Sequence, residues 1–177
     1  MTESRLPGVR YGSVKRLGDS RGSFRELWRA STSGDRFVQA NLSTSAQGVL
    51  RGLHYHRRQL DYWVVGSGRA FVALVDVRPV VAGLGSAVVE TRELAADESV
   101  VIPVGVAHGF LALEPLELYY LVTNEFDGSD ELGFAWDDPK VAVPWPPVAG
   151  TPDGRPILSD RDQTNPSLAE LVERLGQ

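Results

Sequence analysis

Residues 49–56 read Val49-Leu50-Arg51-Gly52-Leu53-His54-Tyr55-His56, inside a β-rich run at 47–56. Strand side chains alternate between two faces, so His54 and His56 project to one side and Tyr55 to the other. If one imidazole points into a barrel mouth, both do. Working outward, 62–65, 69–77, 87–94, 99–103 and 117–122 are further short β-rich runs, most of them separated by Gly, Pro or Asp. Such spacing predicts an all-β sandwich or barrel. One clear helix is expected at the C-terminus, capped by Asn165, with Pro166 in its first turn and Leu168, Leu171, Val172 and Leu175 on one apolar stripe ahead of Gly176. The Pro/Gly-rich stretch 143–156 reads as a long ordered loop over the barrel, anchored by the buried ring of Trp145.

The 177 residues suit one domain, with a core barrel at about 36–126 and a C-terminal loop and helix over 127–177. The chain has no uninterrupted apolar run of membrane-spanning length, no secretory h-region near its start and no cysteine, so a cytoplasmic protein is the expectation. A net charge of -5 argues against nucleic acid or an anionic membrane as partner, since either needs a basic face. An anionic small molecule would have to meet a local group of arginines.

All three histidines lie in conspicuous places, His54 and His56 in GLHYH and His108 in PVGVAHGF. In order, VLRGLHYH, LVDVR, IPVGVAHGFLAL, ELYYLVTNEF, WDDP, PWP and LSDRD resemble the dTDP-4-dehydrorhamnose 3,5-epimerase family. The likeness runs from about Asp19 through LSDRD, and RGLH and AHGF are its most distinctive parts. It implies a cupin-type antiparallel β-barrel, or jelly roll, that acts as a homodimer on a nucleotide sugar without a cofactor.

That chemistry has a plain physical requirement. A ketone at C4 of the sugar acidifies the protons at C3 and C5; a base removes one and an acid returns a proton on the opposite face. By resemblance the base is His54, oriented by Asp162, and the acid is Tyr120. The same resemblance assigns Arg21, Glu26, Gln39, Asn41, Arg51, His108 and Phe126 to the substrate, with the two arginines suited to paired bonds on diphosphate oxygens.

Three positions depart from the family pattern. Asp61 stands where the family has lysine, Val72 where it has aspartate, and Phe126 where it has tyrosine. A carboxylate about 5 Å from an enolate oxygen would oppose it by roughly 3 kcal/mol at an effective dielectric near 20, about a hundredfold in rate. A second pattern runs through the same residues. Metal-binding cupins carry His-x-His, an acidic ligand and Gly, then Pro-x-Gly-x-x-His; here these are His54, His56, Asp61 and Gly68, then Pro103, Gly105 and His108. Three imidazoles and a carboxylate suit a divalent Zn, Fe, Mn or Ni ion. The two patterns compete for His54, because a nitrogen that ligates a metal cannot also accept a proton. The sequence is compatible with an epimerase, a metal-dependent cupin enzyme and a catalytically silent nucleotide-sugar-binding cupin.

Overall fold

The computed structural model describes residues 4–176. Its strands are β1 (Arg10–Ser13), β2 (Arg16–Asp19), β3 (Gly22–Arg25), β4 (Gln39–Ser45), β5 (Leu50–Tyr55), β6 (Asp61–Ser67), β7 (Arg69–Asp76), β8 (Val88–Ala95), β9 (Glu98–Ile102), β10 (Val106–Ala112), β11 (Leu116–Val122) and β12 (Leu132–Gly133). Four short α-helices accompany them, α1 (Ala30–Ser33), α2 (Arg78–Val81), α3 (Asp160–Thr164) and α4 (Leu168–Leu175). One antiparallel sheet is ordered β1-β9-β6-β11-β4 and a second β12-β5-β10-β7-β8, with β2-β3 a separate hairpin. This is a cupin-type jelly roll, as expected.

Strand alternation decides what each sheet buries. Trp63, Val65, Val100, Ile102 and Leu118 of the first sheet meet Val72, Leu74, Leu94 and Phe110 of the second in one cluster between the sheets. The outer face of the second sheet is covered as well: Leu53, Tyr55, Ala73, Val75 and Ala107 pack against Phe134, Val141, Leu168 and Leu171. Each such fully buried leucine stabilises the fold by about 2 kcal/mol. Burial on both faces makes β10 apolar at nearly every position, so it shows no alternation, and the sequence reading has no strand there. The polar strand β4 and the first three strands were likewise not anticipated, and β1 places a barrel strand well before residue 36.

Helix α4 carries the expected apolar stripe, but its cap differs from expectation. Ser167 is the N-cap, bonded to the Glu170 N–H, while the Glu170 carboxylate accepts from the Ser167 N–H in a capping box. Asn165 instead ends α3, and Pro166 precedes the cap. The reciprocal pair satisfies two helix-end donors where Asn165 would satisfy one. Residues 143–156 form the expected loop, held by the half-buried Trp145, whose indole N–H donates to the Trp136 carbonyl at 2.8 Å.

Candidate active site

The two most distinctive sequence segments meet across one strand pair. His108 of β10 lies opposite His54 of β5, with a bulge between His108 and Phe110. Gly52 has φ +131, and a Cβ there would stand 2.6 Å from the Gly109 Cα. Only two glycines allow the strands to approach this closely. Leu53 and Tyr55 take the outer face, so His54 is turned into the barrel, as period two requires.

Asp162 reaches His54 from the far end of the chain. Ser159 caps α3 by accepting from the Asp162 N–H at 3.2 Å, which directs the buried Asp162 side chain at the barrel. His54 Nε2 and Asp162 Oδ1 are 2.8 Å apart. Burial pushes the Asp162 carboxyl up, but the His54 hydrogen bond and charge, the Ser159 hydroxyl and the Gly52 N–H outweigh it and hold the group below its ordinary value. An ionised carboxylate only accepts, so Nε2 of His54 carries a proton, and in the neutral ring the lone pair lies on Nδ1. The side chain is 26% exposed, enough to meet a ligand at the mouth.

His56 and His108 line the interior deeper in, their rings 5.4 Å apart, with Trp63 edge-on to His108 at 5.1 Å. Nδ1 of His56 donates to the Asp130 carbonyl at 2.7 Å, and Nδ1 of His108 to the Val106 carbonyl at 3.3 Å. Burial pushes His108 down to about 4, aided by His56 and His54 and opposed by the Asp61 carboxylate. Asp61 is itself buried, accepting from Gln59 Nε2 at 2.8 Å and Trp63 Nε1 at 3.2 Å. His56, Asp61 and His108 bring their ligand atoms within 4.8 Å of one another. His54, the fourth expected ligand, is not in that group.

Tyr120 stands on the facing sheet, paired with Trp63 and Asn41 and packed against the interior cluster. Burial raises its phenol above the ordinary value, Asp61 and Glu131 push the same way, and Arg51 pulls back. The ring is therefore a protonated donor. Gln39 Nε2 donates to Asn41 Oδ1 at 2.9 Å, and Gln39 Oε1 accepts the Phe126 N–H at 2.9 Å, so Gln39, Asn41 and the exposed Phe126 ring frame the rim beside Tyr120. Arg51 is more exposed than an inward arginine would be. It is held by Ser45 Oγ at 3.1 Å and the Thr44 carbonyl at 3.1 Å.

Arg21 and Glu26 are not brought to this pocket. Arg21 sits at the turn of the β2–β3 hairpin, fully exposed and paired with Asp19 at 2.5 Å, and Glu26 pairs with Arg29. Two contributors went unread in the sequence. Trp63 lies in a run of apolar residues that reads as core, and Asp130 acts through its carbonyl on His56 and through its carboxylate on the Arg57 and Arg58 N–H groups, both at 3.0 Å. No side-chain motif announces a backbone acceptor 74 residues away.

Residues 3–170 match the family model described as dTDP-4-dehydrorhamnose 3,5-epimerase. The dTDP-4-dehydrorhamnose 3,5-epimerase of Escherichia coli K12 is 34% identical over 166 residues, covering 88% of this chain and 87% of its own. Among solved structures, the enzyme of Legionella pneumophila in complex with dTDP-4-keto-L-rhamnose aligns with TM-score 0.82 and 30% identity over 97% of this chain and 94% of its own. The 3'-monoepimerase ChmJ of Streptomyces bikiniensis, in complex with dTDP-quinovose, gives TM-score 0.82 at 29% identity over 99% of this chain and 91% of its own. With nearly the whole chain matched by the family model and by relatives of this identity, this protein belongs to the dTDP-4-dehydrorhamnose 3,5-epimerase family.

Proposed function

We propose that this chain is a sugar-nucleotide epimerase of deoxysugar biosynthesis, inverting C3, C5 or both in a nucleoside-diphosphate 4-keto-6-deoxyhexose, with dTDP as the nucleotide its relatives favour. The observation that carries the reading is the 2.8 Å contact of His54 Nε2 with the buried Asp162, across the barrel from the protonated Tyr120. Asp162 holds the tautomer that leaves Nδ1 of His54 basic, and it stabilises the imidazolium formed when a proton leaves carbon. Tyr120, on the facing sheet, supplies the proton to the other face. The reaction needs no redox change, so acid and base suffice without an organic cofactor.

Arg51, Gln39, Asn41, His108 and Phe126 support binding at the rim and floor, with Arg51 the guanidinium available to a diphosphate. Arg21 and Glu26 serve the substrate in this reading only where a second copy brings a β2–β3 hairpin over a barrel mouth. Leu17 and Phe24, 51% and 64% exposed on that hairpin, support such a homodimer, since apolar side chains presented this way gain by being covered. A cytoplasmic location fits the lack, among the described residues, of any helix long and apolar enough to cross a membrane.

Calorimetric titration with a dTDP-4-keto-6-deoxyhexose, followed by analysis of the recovered sugar, tests the proposal. Binding tighter than millimolar, about 4 kcal/mol, and inversion at C3 or C5 are expected. Tight binding with no inversion would instead favour a silent sugar-binding protein.

A further inference from the structure

The floor of the barrel holds a group of side chains that take no part in the proton transfers, although one of them, His108, also borders the proposed substrate site. His56, Asp61 and His108 are 6%, 4% and 4% exposed, and each offers one ligand atom within 4.8 Å of the others. Both imidazoles are oriented from behind. The Asp130 and Val106 carbonyls accept from Nδ1 of His56 and His108, and a carbonyl cannot donate, so each Nδ1 carries a proton and each Nε2 is left for another partner. His108 Nε2 faces Asp61 Oδ2 at 3.7 Å, beyond hydrogen-bonding distance. Both Asp61 oxygens meanwhile act as acceptors, from Gln59 and from Trp63. The His108 Nε2 lone pair and the Asp61 charge thus converge on one buried spot with no bond between them, an arrangement that a bound cation would complete.

Two donors held at about 2.1 Å by one tetrahedral ion stand about 3.4 Å apart, close to the spacing found between His108 and Asp61. We infer that His56 Nε2, Asp61 and His108 Nε2 bind one divalent transition-metal cation, with His54 outside the coordination sphere. Two imidazoles and one carboxylate suit Zn²⁺, Ni²⁺, Fe²⁺ or Mn²⁺ and leave coordination positions open. The excluded residue matters most. His54 has its Nε2 committed to Asp162, so the metal and the proposed base occupy different histidines, and the competition that the sequence suggests between them disappears.

The chain has three histidines, which makes long-range ¹⁵N imidazole spectra of untagged, chelator-treated protein directly readable. Titration with Zn²⁺ is expected to saturate at one ion per chain, moving the Nε2 resonances of His56 and His108 and leaving both nitrogens of His54 in place. Asp61→Asn is expected to weaken Zn²⁺ at least tenfold, whereas Asp162→Asn changes it less than twofold. Should Asp61→Asn fail to fold, the wild-type spectra still decide. Three outcomes overturn the assignment: no saturable shift, a shift that includes His54, or two imidazole shifts that appear on acidification but not with Zn²⁺, the mark of a shared proton instead of a metal.

Discussion

His108 Nε2 stands 3.7 Å from Asp61 Oδ2 at the buried floor, while His54 Nε2 stands 2.8 Å from Asp162 Oδ1 at the mouth. The two imidazole–carboxylate pairs share one strand register, His54 opposite His108, yet differ in kind. The outer pair is hydrogen-bonded and reachable by a ligand; the inner one is buried, with no hydrogen bond between its two members. This division lets one small barrel hold both an acid–base site and a candidate cation site.

Asp162→Asn keeps the size of the side chain and removes its charge. Because the amide can donate as well as accept, it no longer enforces the His54 tautomer with a basic Nδ1. Steady-state epimerisation is expected to fall by about 10²- to 10⁴-fold in kcat with little change in KM. An equal rise in KM with kcat preserved would make Asp162 a binding residue instead.

Tyr120→Phe removes the acid on the face opposite His54 and leaves the base. His54 can still take a proton from carbon and return a solvent deuteron to the same face, so the variant is expected to exchange without inverting. Nuclear magnetic resonance of the sugar in heavy water reads deuterium content and configuration separately. Inversion at the wild-type rate would remove Tyr120 from the mechanism.

Gly52→Ala should be among the most damaging single-methyl additions in the chain, since its Cβ would stand 2.6 Å from Gly109 Cα at φ +131. A loss of about 3 kcal/mol in denaturant unfolding is expected, against less than about 0.5 kcal/mol for Gly18→Ala. At Gly18 the nearest atom to a new Cβ is 3.6 Å away. Equal stability of the two variants would mean that the strands need no close approach.

Glu90 ties the N-terminal segment to the barrel, accepting from Ser4 Oγ at 2.7 Å, the Arg5 N–H at 2.8 Å and Tyr11 Oη at 2.9 Å. Burial pushes its carboxyl up, but these three bonds and the Arg5 charge outweigh burial and hold it below its ordinary value. A depressed folded-state pKa stabilises the fold above the unfolded value of about 4.5, and this stabilisation is lost as pH falls through the folded value. Wild-type protein is therefore expected to lose stability below about pH 4.5 more steeply than Glu90→Gln. Parallel curves of Tm against pH would refute the linkage.

How legible this was from sequence differs by residue. Alternation around His54 and Tyr55 gave their faces, and the apolar stripe of α4 gave its buried side. β10 was missed because a strand buried on both sides has no period to read. Ser167 and Glu170 formed a readable capping box, but Asn165 and Pro166 just before it made an equally regular start signal. The pairing of His54 with Asp162 spans 108 residues and is invisible to local pattern; resemblance alone pointed to it. Resemblance also placed Arg21 and Glu26 at the substrate, where the folded single chain does not bring them, because Arg21 sits at the tip of a hairpin that joins neither sheet and Glu26, just beyond that hairpin, pairs with Arg29.

The most direct test of His54 as the base is deuterium wash-in at C3 and C5 of a dTDP-4-keto-6-deoxyhexose in heavy water, comparing wild type with His54→Ala. Wild type should incorporate deuterium at one or both carbons, and His54→Ala should do so no faster than the enzyme-free sugar while still binding it. Exchange by His54→Ala at the wild-type rate would contradict the account.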